Sequence, residues 1–175
     1  MKKYITILFL TTVTITSFAQ NTLDKFNDQD GITAVVVNKK MFDLMSKVKV
    51  DASDKEMQQY MNLIKKLDNL KVYSTTNSRI ALDMKTTAEK YIKTTGLEEL
   101  MKVNENGKNT RIVVKSGTTD PQIKELLMLI EGAGRENETV LMSLTGNFNL
   151  NEISVLTDKM KIPGSEELKR ATKQK

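Results

Sequence analysis

The chain has 175 residues, 39% of them hydrophobic, with eight glycines and two prolines, which suits one hydrophobic core rather than two. Its formal net charge of +5 is spread as lysines alternating with acids, and aromatic residues make up only 5%. Nucleic-acid binding wants clustered cations interleaved with aromatics, so no nucleic-acid partner is expected. Histidine, cysteine and tryptophan do not occur, which closes Ser-His-Asp triads, cysteine nucleophiles, disulfides, ordinary zinc sites and the usual haem ligation.

Residues 1–19 read as a signal peptide. MKKY supplies two lysines, ITILFLTTVTIT an apolar run diluted by threonine, and SFAQ the small residues Ser17 and Ala19 of a signal-peptidase site. The run is too short and too rich in threonine to span a bilayer stably. No cysteine follows it to carry a lipid. The expectation is therefore export to the periplasm or beyond, with cleavage after Ala19. Losing Lys2 and Lys3 lowers the net charge by two.

Residues 20–30 form a polar lead. ITAVVV (32–37) is β-branched and apolar at nearly every position, bounded by Gly31 and Asn38, and reads as a buried strand. Asn38 can cap a short helix on which Met41, Leu44, Met45 and Val48 share one apolar face. Ser53-Asp-Lys-Glu56 is a capping box, and Met57, Tyr60, Met61, Ile64 and Leu67 repeat behind it at helical spacing. Asp68-Asn69 breaks that helix, and LKVYST follows as a strand. A third helix starts near Asn77, buries Ile80, Ala81, Met84, Ala88, Tyr91 and Ile92, and ends at Gly96.

Then LEELMKV, NENGK and NTRIVVKSG spell a hairpin with Asn106-Gly107 at its turn. Asp120-Pro121 marks another break. Periodicity does not separate helix from strand over Ile123–Glu131, but the glycine-rich GAGREN that follows favours strand. ETVLMSLTGNF is a further strand. Asn149-Leu-Asn-Glu152 caps a last helix carrying Leu150, Ile153, Leu156 and Met160, closed by Pro163-Gly164. The order β-α-α-β-α-β-β-β-β-α predicts a single α+β domain over 31–162. It comprises a largely antiparallel sheet of about six strands with helices on one face, followed by a charged tail over 163–175.

Few places hint at chemistry. In FNDQDG an EF-hand register with Gly31 at the sixth position puts Asp28 and Asp30 correctly. It also puts Phe26 and Val37 where the first and last carboxylates belong, and a strand where a helix should follow. Asp30-Gly31 thus reads as a turn, and a calcium site using Asp24, Asp28 and Asp30 has only carboxylate density behind it. Ser46-Lys-Val-Lys49 has the Ser-x-x-Lys spacing of penicillin-recognising enzymes without their other motifs, KTTG at 93–96 having an extra residue. GAGREN lacks the Lys-Ser/Thr of a phosphate loop and reads as a hairpin connection with positive φ at Gly132 and Gly134. The pairs Glu98–Glu99 and Glu166–Glu167 lack the aromatic platforms of a sugar cleft and read as solvated surface. The helical methionines Met41, Met45, Met57, Met61 and Met84 fall in phase with leucine and isoleucine and read as core. No catalytic, cofactor-binding or metal-ligating residue is assigned, and no cofactor.

Taken together, DGITAVVVNKKMFDLMSKV, the Ser-Asp-Lys-Glu helix, the KVYSTT strand and the VVKSG…ELLMLIEG…VLMSLTGNF hairpins resemble the exported bacterial family called domain of unknown function 4252. The resemblance implies export in a bacterium with a two-membrane envelope and a small domain with no assigned activity. It also implies an association with extracytoplasmic sigma-factor systems, and it transfers no catalytic residues.

Three roles follow as expectations. A non-enzymatic module binding an unknown envelope protein or component would expose an apolar or methionine patch. A small-ligand carrier or an enzyme using Asp, Glu, Lys or Tyr would gather these groups in a pocket. A self-associating envelope domain would offer an open edge strand.

Overall fold

In a computed structural model, residues 22–51, 53–118, 121–133, 137–153, 166 and 169–170 are described. Six strands form one antiparallel sheet: β1 (Thr33–Asn38), β2 (Leu67–Thr75), β3 (Glu98–Glu105), β4 (Lys108–Ser116), β5 (Gln122–Ala133) and β6 (Glu138–Asn149). Their spatial order is β1-β2-β6-β5-β4-β3. Strands β3 to β6 are a meander, and β6 returns to pair with β2, which ties the first half of the chain to the second. Helices α1 (Lys39–Met45), α2 (Lys55–Ile64) and α3 (Ser78–Thr95) accompany the sheet. The element order, the antiparallel sheet and the strand at 123–131 match the sequence reading.

The helices do not all lie on one face, as that reading expected. Period-two alternation sends Leu70, Val72, Ile112, Val114, Leu126, Met128, Val140 and Met142 to one face, where Phe42 of α1 and Tyr60, Leu63 and Ile64 of α2 cover them. Tyr73, Val113, Leu127, Leu129 and Leu141 point to the other, where Met84, Ala88, Tyr91 and Ile92 of α3 close over them. Strands β5 and β6 are buried on both faces, which is why LLMLI (126–130) and VLM (140–142) are continuous apolar runs.

Residues 20–30 are more than a polar lead. A 3-10 turn at Asp24–Phe26 plugs the α3 face, burying Leu23 and Phe26, the latter tilted against Tyr73 with ring centroids 5.6 Å apart. The strand read as buried, β1, is instead an outer edge, with Val35 49% and Val36 46% exposed.

The caps follow local chemistry. Asn38 and Asn77 accept from the first-turn amides of α1 and α3, and Gly96 ends α3 in the left-handed conformation at φ 68°. At α2 the cap is Asp54, accepting from the Met57 amide at 2.9 Å, and not Ser53, whose amide and hydroxyl both bond Asp51. That helix ends at Ile64, and β2 starts at Leu67, one residue before the expected break at Asp68-Asn69, which lies within the strand. Asn106 (φ 51°) and Gly107 (φ 81°) make the β3–β4 turn. Gly146 lets β6 pass against the Lys66 carbonyl, where any Cβ would collide.

Asn149 and Glu152 cap reciprocally: the Asn149 amide donates to Glu152 at 2.9 Å, and the Asn151 amide donates to Asn149 at 3.0 Å. Residues 150–153 are helical. The expected remainder of that helix, the expected signal peptide, Asp120, Gly134, Glu167 and Pro163-Gly164 lie outside the described residues.

Candidate functional site

Two places in the molecule hold more than a packed core needs. The first is a polar cluster between α3 and the centre of the sheet. Glu125 on β5 is buried and accepts from the Tyr91 hydroxyl of α3 at 2.6 Å and from Ser143 of β6. Burial holds its carboxyl above the usual range, while the Tyr91 and Ser143 hydrogen bonds and the charges of Lys115 and Lys71 pull the other way. Burial and the adjacent Glu125 push the Tyr91 phenol up as well. Lys71, beside this cluster on β2, ion-pairs with Asp24 at 2.5 Å, and Tyr73 donates to Asn27 at 2.7 Å. Asn69, Lys71, Tyr91, Ser143 and Thr145 enclose about 30 Å³, and the Asn69 Oδ1 is buried there without a protein donor. That is room for about one water molecule.

The second place is the corner where β1 runs into α1. Edge strand β1 is TAVVVN, with no charge, no proline and no bulge along its six-residue pairing with β2. Only Phe42 of α1 is buried. Met41 (52%), Leu44 (55%) and Val48 (59%), expected to face inward, are exposed. The reason is geometric: Phe42 sits on the opposite side of the helix, and once its ring fills the gap beneath α1 the Met41–Leu44–Val48 side must turn to solvent. An aromatic ring outweighing three aliphatic side chains is a signal present in the sequence that the heptad-like spacing concealed.

A family model described as domain of unknown function (DUF4252) matches residues 26–156. The chain belongs to that family. Neither a curated protein nor a solved structure matches it. The matched DUF4252 region takes in every described strand of the sheet and α1, α2 and α3, so the polar cluster and the β1–α1 corner are both part of the family domain.

The residues singled out in the sequence scatter across the DUF4252 domain. Asp30-Gly31 is the turn into β1, with Gly31 at φ 81° and its carbonyl accepting from Thr75 at 2.6 Å. Asp24, which could have joined Asp28 and Asp30 at a cation, is committed to Lys71. Among the described residues no group of three His, Cys, Asp or Glu side chains is placed to hold a metal ion. Ser46 closes α1 by bonding the Asp43 carbonyl at 2.9 Å. Gly132 takes positive φ at the β5 end, as a hairpin connection requires. Glu99 pairs with Arg111 at 2.7 Å on the surface, and Glu166 is exposed beside Lys169. Met84 is buried, and Met45, Met57 and Met61 pack partly against the core; Met41 does not. Sequence reasoning missed Glu125, because a lone carboxylate inside ELLMLI carries no motif.

Proposed function

We propose that this chain is an exported, non-enzymatic interaction module of the cell envelope that binds a partner protein by adding an extended segment of it to the sheet at β1. The observation that carries this reading is the open β1 edge. Among the described residues no strand lies beyond its outward amides and carbonyls, its side chains are uncharged, and Val35 and Val36 offer apolar contact on either face. Export rests on the MKK…SFAQ leader. Among the described residues no helix is long and apolar enough to cross a membrane.

The carrier or enzyme reading has less behind it. Its converging Glu, Tyr, Lys and Ser side chains close on about 30 Å³, and the groove between α3 and β3–β5 holds about 160 Å³. Sites that enclose a small molecule run to roughly 300–1,000 Å³.

The test is capture from envelope extract followed by hydrogen exchange on the captured complex. The β1 amides gain protection on binding, Val36→Lys abolishes capture, and Glu98→Lys on the opposite edge leaves it intact. Unchanged β1 exchange in a complex, or equal capture by Val36→Lys, defeats the reading. A complex that contains only this chain would make the partner strand a second copy of β1.

A further inference from the structure

The exposed face of α1 is a different surface from the β1 edge and has a different chemistry. Segment 39–50, KKMFDLMSKVKV, carries four lysines and one aspartate. Asp43 is already engaged by Lys39 at 3.7 Å, one turn away. Lys39 is in turn held by the carbonyls of Lys65 and Leu67. Lys40, Lys47 and Lys49 are exposed and have no acidic partner among the described residues.

Helical spacing orders these groups. Leu44 lies one turn from Lys40 and one turn from Lys47, while Met41, Leu44 and Val48 form a stripe at i, i+3 and i+7. The turn continues past Met45 through the Ser46, Lys47 and Val48 amides, bonded to Phe42, Leu44 and Met45 carbonyls at 2.9–3.2 Å. Phe42, on the far side, anchors the segment in the core. The result is a convex ridge with an apolar crest and the unpaired Lys40 and Lys47 along its flank, and Lys49 follows just beyond the last bonded turn.

We infer that this ridge docks on an anionic lipid surface. A protein groove would have to match the ridge in shape and supply an acid for each lysine. A bilayer of anionic lipid presents both requirements without shape matching: phosphates at the depth of the ammonium groups and acyl chains beneath for Met41, Leu44 and Val48. The lysine stems lie along the crest and their heads stay at the phosphate level. The inference shares with the proposed function only the envelope setting, and either can fail alone.

The experiment is co-sedimentation of the full chain with vesicles of phosphatidylcholine alone and of phosphatidylcholine mixed equally with phosphatidylglycerol. All variants share the same N-terminus, so any binding by the leader is common to them. Wild-type protein partitions more strongly onto the mixed vesicles, and the gain disappears at high salt. The triple variant Lys40→Gln, Lys47→Gln, Lys49→Gln loses about a hundredfold in partition onto mixed vesicles, at roughly fivefold per lysine, and is unchanged on phosphatidylcholine. The pair Met41→Ser and Leu44→Ser lowers binding to both. Met41 and Leu44 are more than half exposed and the three lysines are exposed, so the fold is retained, and circular dichroism checks it. Equal partition of wild type and the triple variant, or no gain from phosphatidylglycerol, overturns the inference. So does protection of α1 amides by a captured protein in the absence of lipid. If vesicle binding fails while β1 capture survives, only this inference is lost.

Discussion

The two edges of the sheet end the same hydrogen-bonded ladder, yet they are built on opposite plans. Strand β3 carries Glu98, Glu99, Lys102 and Glu105 within eight residues, and its register with β4 slips between Glu99 and Met101. Glu99 is held by Arg111, and Arg170 reaches Glu105 at 3.0 Å. Charge and irregularity of this kind discourage a further strand from pairing. Strand β1 has none of these devices: its pairing with β2 is unbroken from Thr33↔Ser74 to Asn38↔Asn69, and it is apolar and neutral. An exposed backbone edge is therefore not informative by itself. The contrast is, because the same chain protects one edge and leaves the other open.

The largest test of that contrast concerns what holds each edge down. Met101 fixes β3 to the core and is 7% exposed, while Val35 is half exposed on β1. Met101→Ala should cost about 2–5 kcal/mol, and Val35→Ala roughly 0.5 kcal/mol or less. Urea denaturation midpoints measure both. Equal losses would mean that Val35 is covered after all, and the β1 edge would no longer qualify as open.

The same contrast shows what could be read from the sequence and what could not. Asn106-Gly107 names a hairpin by itself, because both residues tolerate positive φ, and Asn77 with Gly96 brackets α3 for similar local reasons. Which strand lies outside is a different kind of fact. ITAVVV is more uniformly apolar than LEELMKV, so burial is inferred for the strand that is in fact an edge; the order is decided by β6 inserting beside β2, a pairing of residues more than sixty apart that no local pattern encodes. The two-faced covering is legible in principle, since an unbroken run such as LLMLI requires burial on both sides. It was missed because hairpins usually leave one face wet. Glu125 escaped notice for the converse reason: its partners Tyr91 and Ser143 come from other elements, and only the fold brings them together.

Between the edges, Glu125 and Tyr91 pin α3, the helix that leads into β3, to the middle of the sheet. Among the described residues no comparable buried carboxylate lies under α1, so this polar contact sharpens the asymmetry. Tyr91→Phe should cost roughly 1–3 kcal/mol, since it leaves a buried carboxyl short of a donor. The pH dependence has a definite sign. The folded carboxyl binds its proton more tightly than the unfolded one. Between the ordinary glutamate range and the raised folded value, the native state therefore holds a proton that the unfolded chain has released. Stability is complete below the unfolded value and declines as pH rises through that window. Denaturant midpoints of wild type should fall across it, and those of Glu125→Gln should fall less. A variant that tracks wild type would place the ionisation elsewhere.

The smallest effect on stability belongs to the most direct test, an exchange of character between the edges. Val36→Lys gives β1 a charge, and Glu98→Val with Glu99→Val removes two from β3. All three positions are exposed, and the Glu99–Arg111 pair is a surface ion pair, so each change should move stability by roughly 1 kcal/mol or less. Association should respond far more strongly. With no partner strand present, an open β1 can pair with a second copy, so the sedimenting mass of wild type rises with concentration. Val36→Lys should suppress that rise, and the β3 double variant should steepen it by opening a second edge. Because stability is nearly constant across the set, a change in association cannot be put down to partial unfolding. If all three proteins sediment alike, the charges on β3 are ordinary surface, and the difference between the edges loses its meaning.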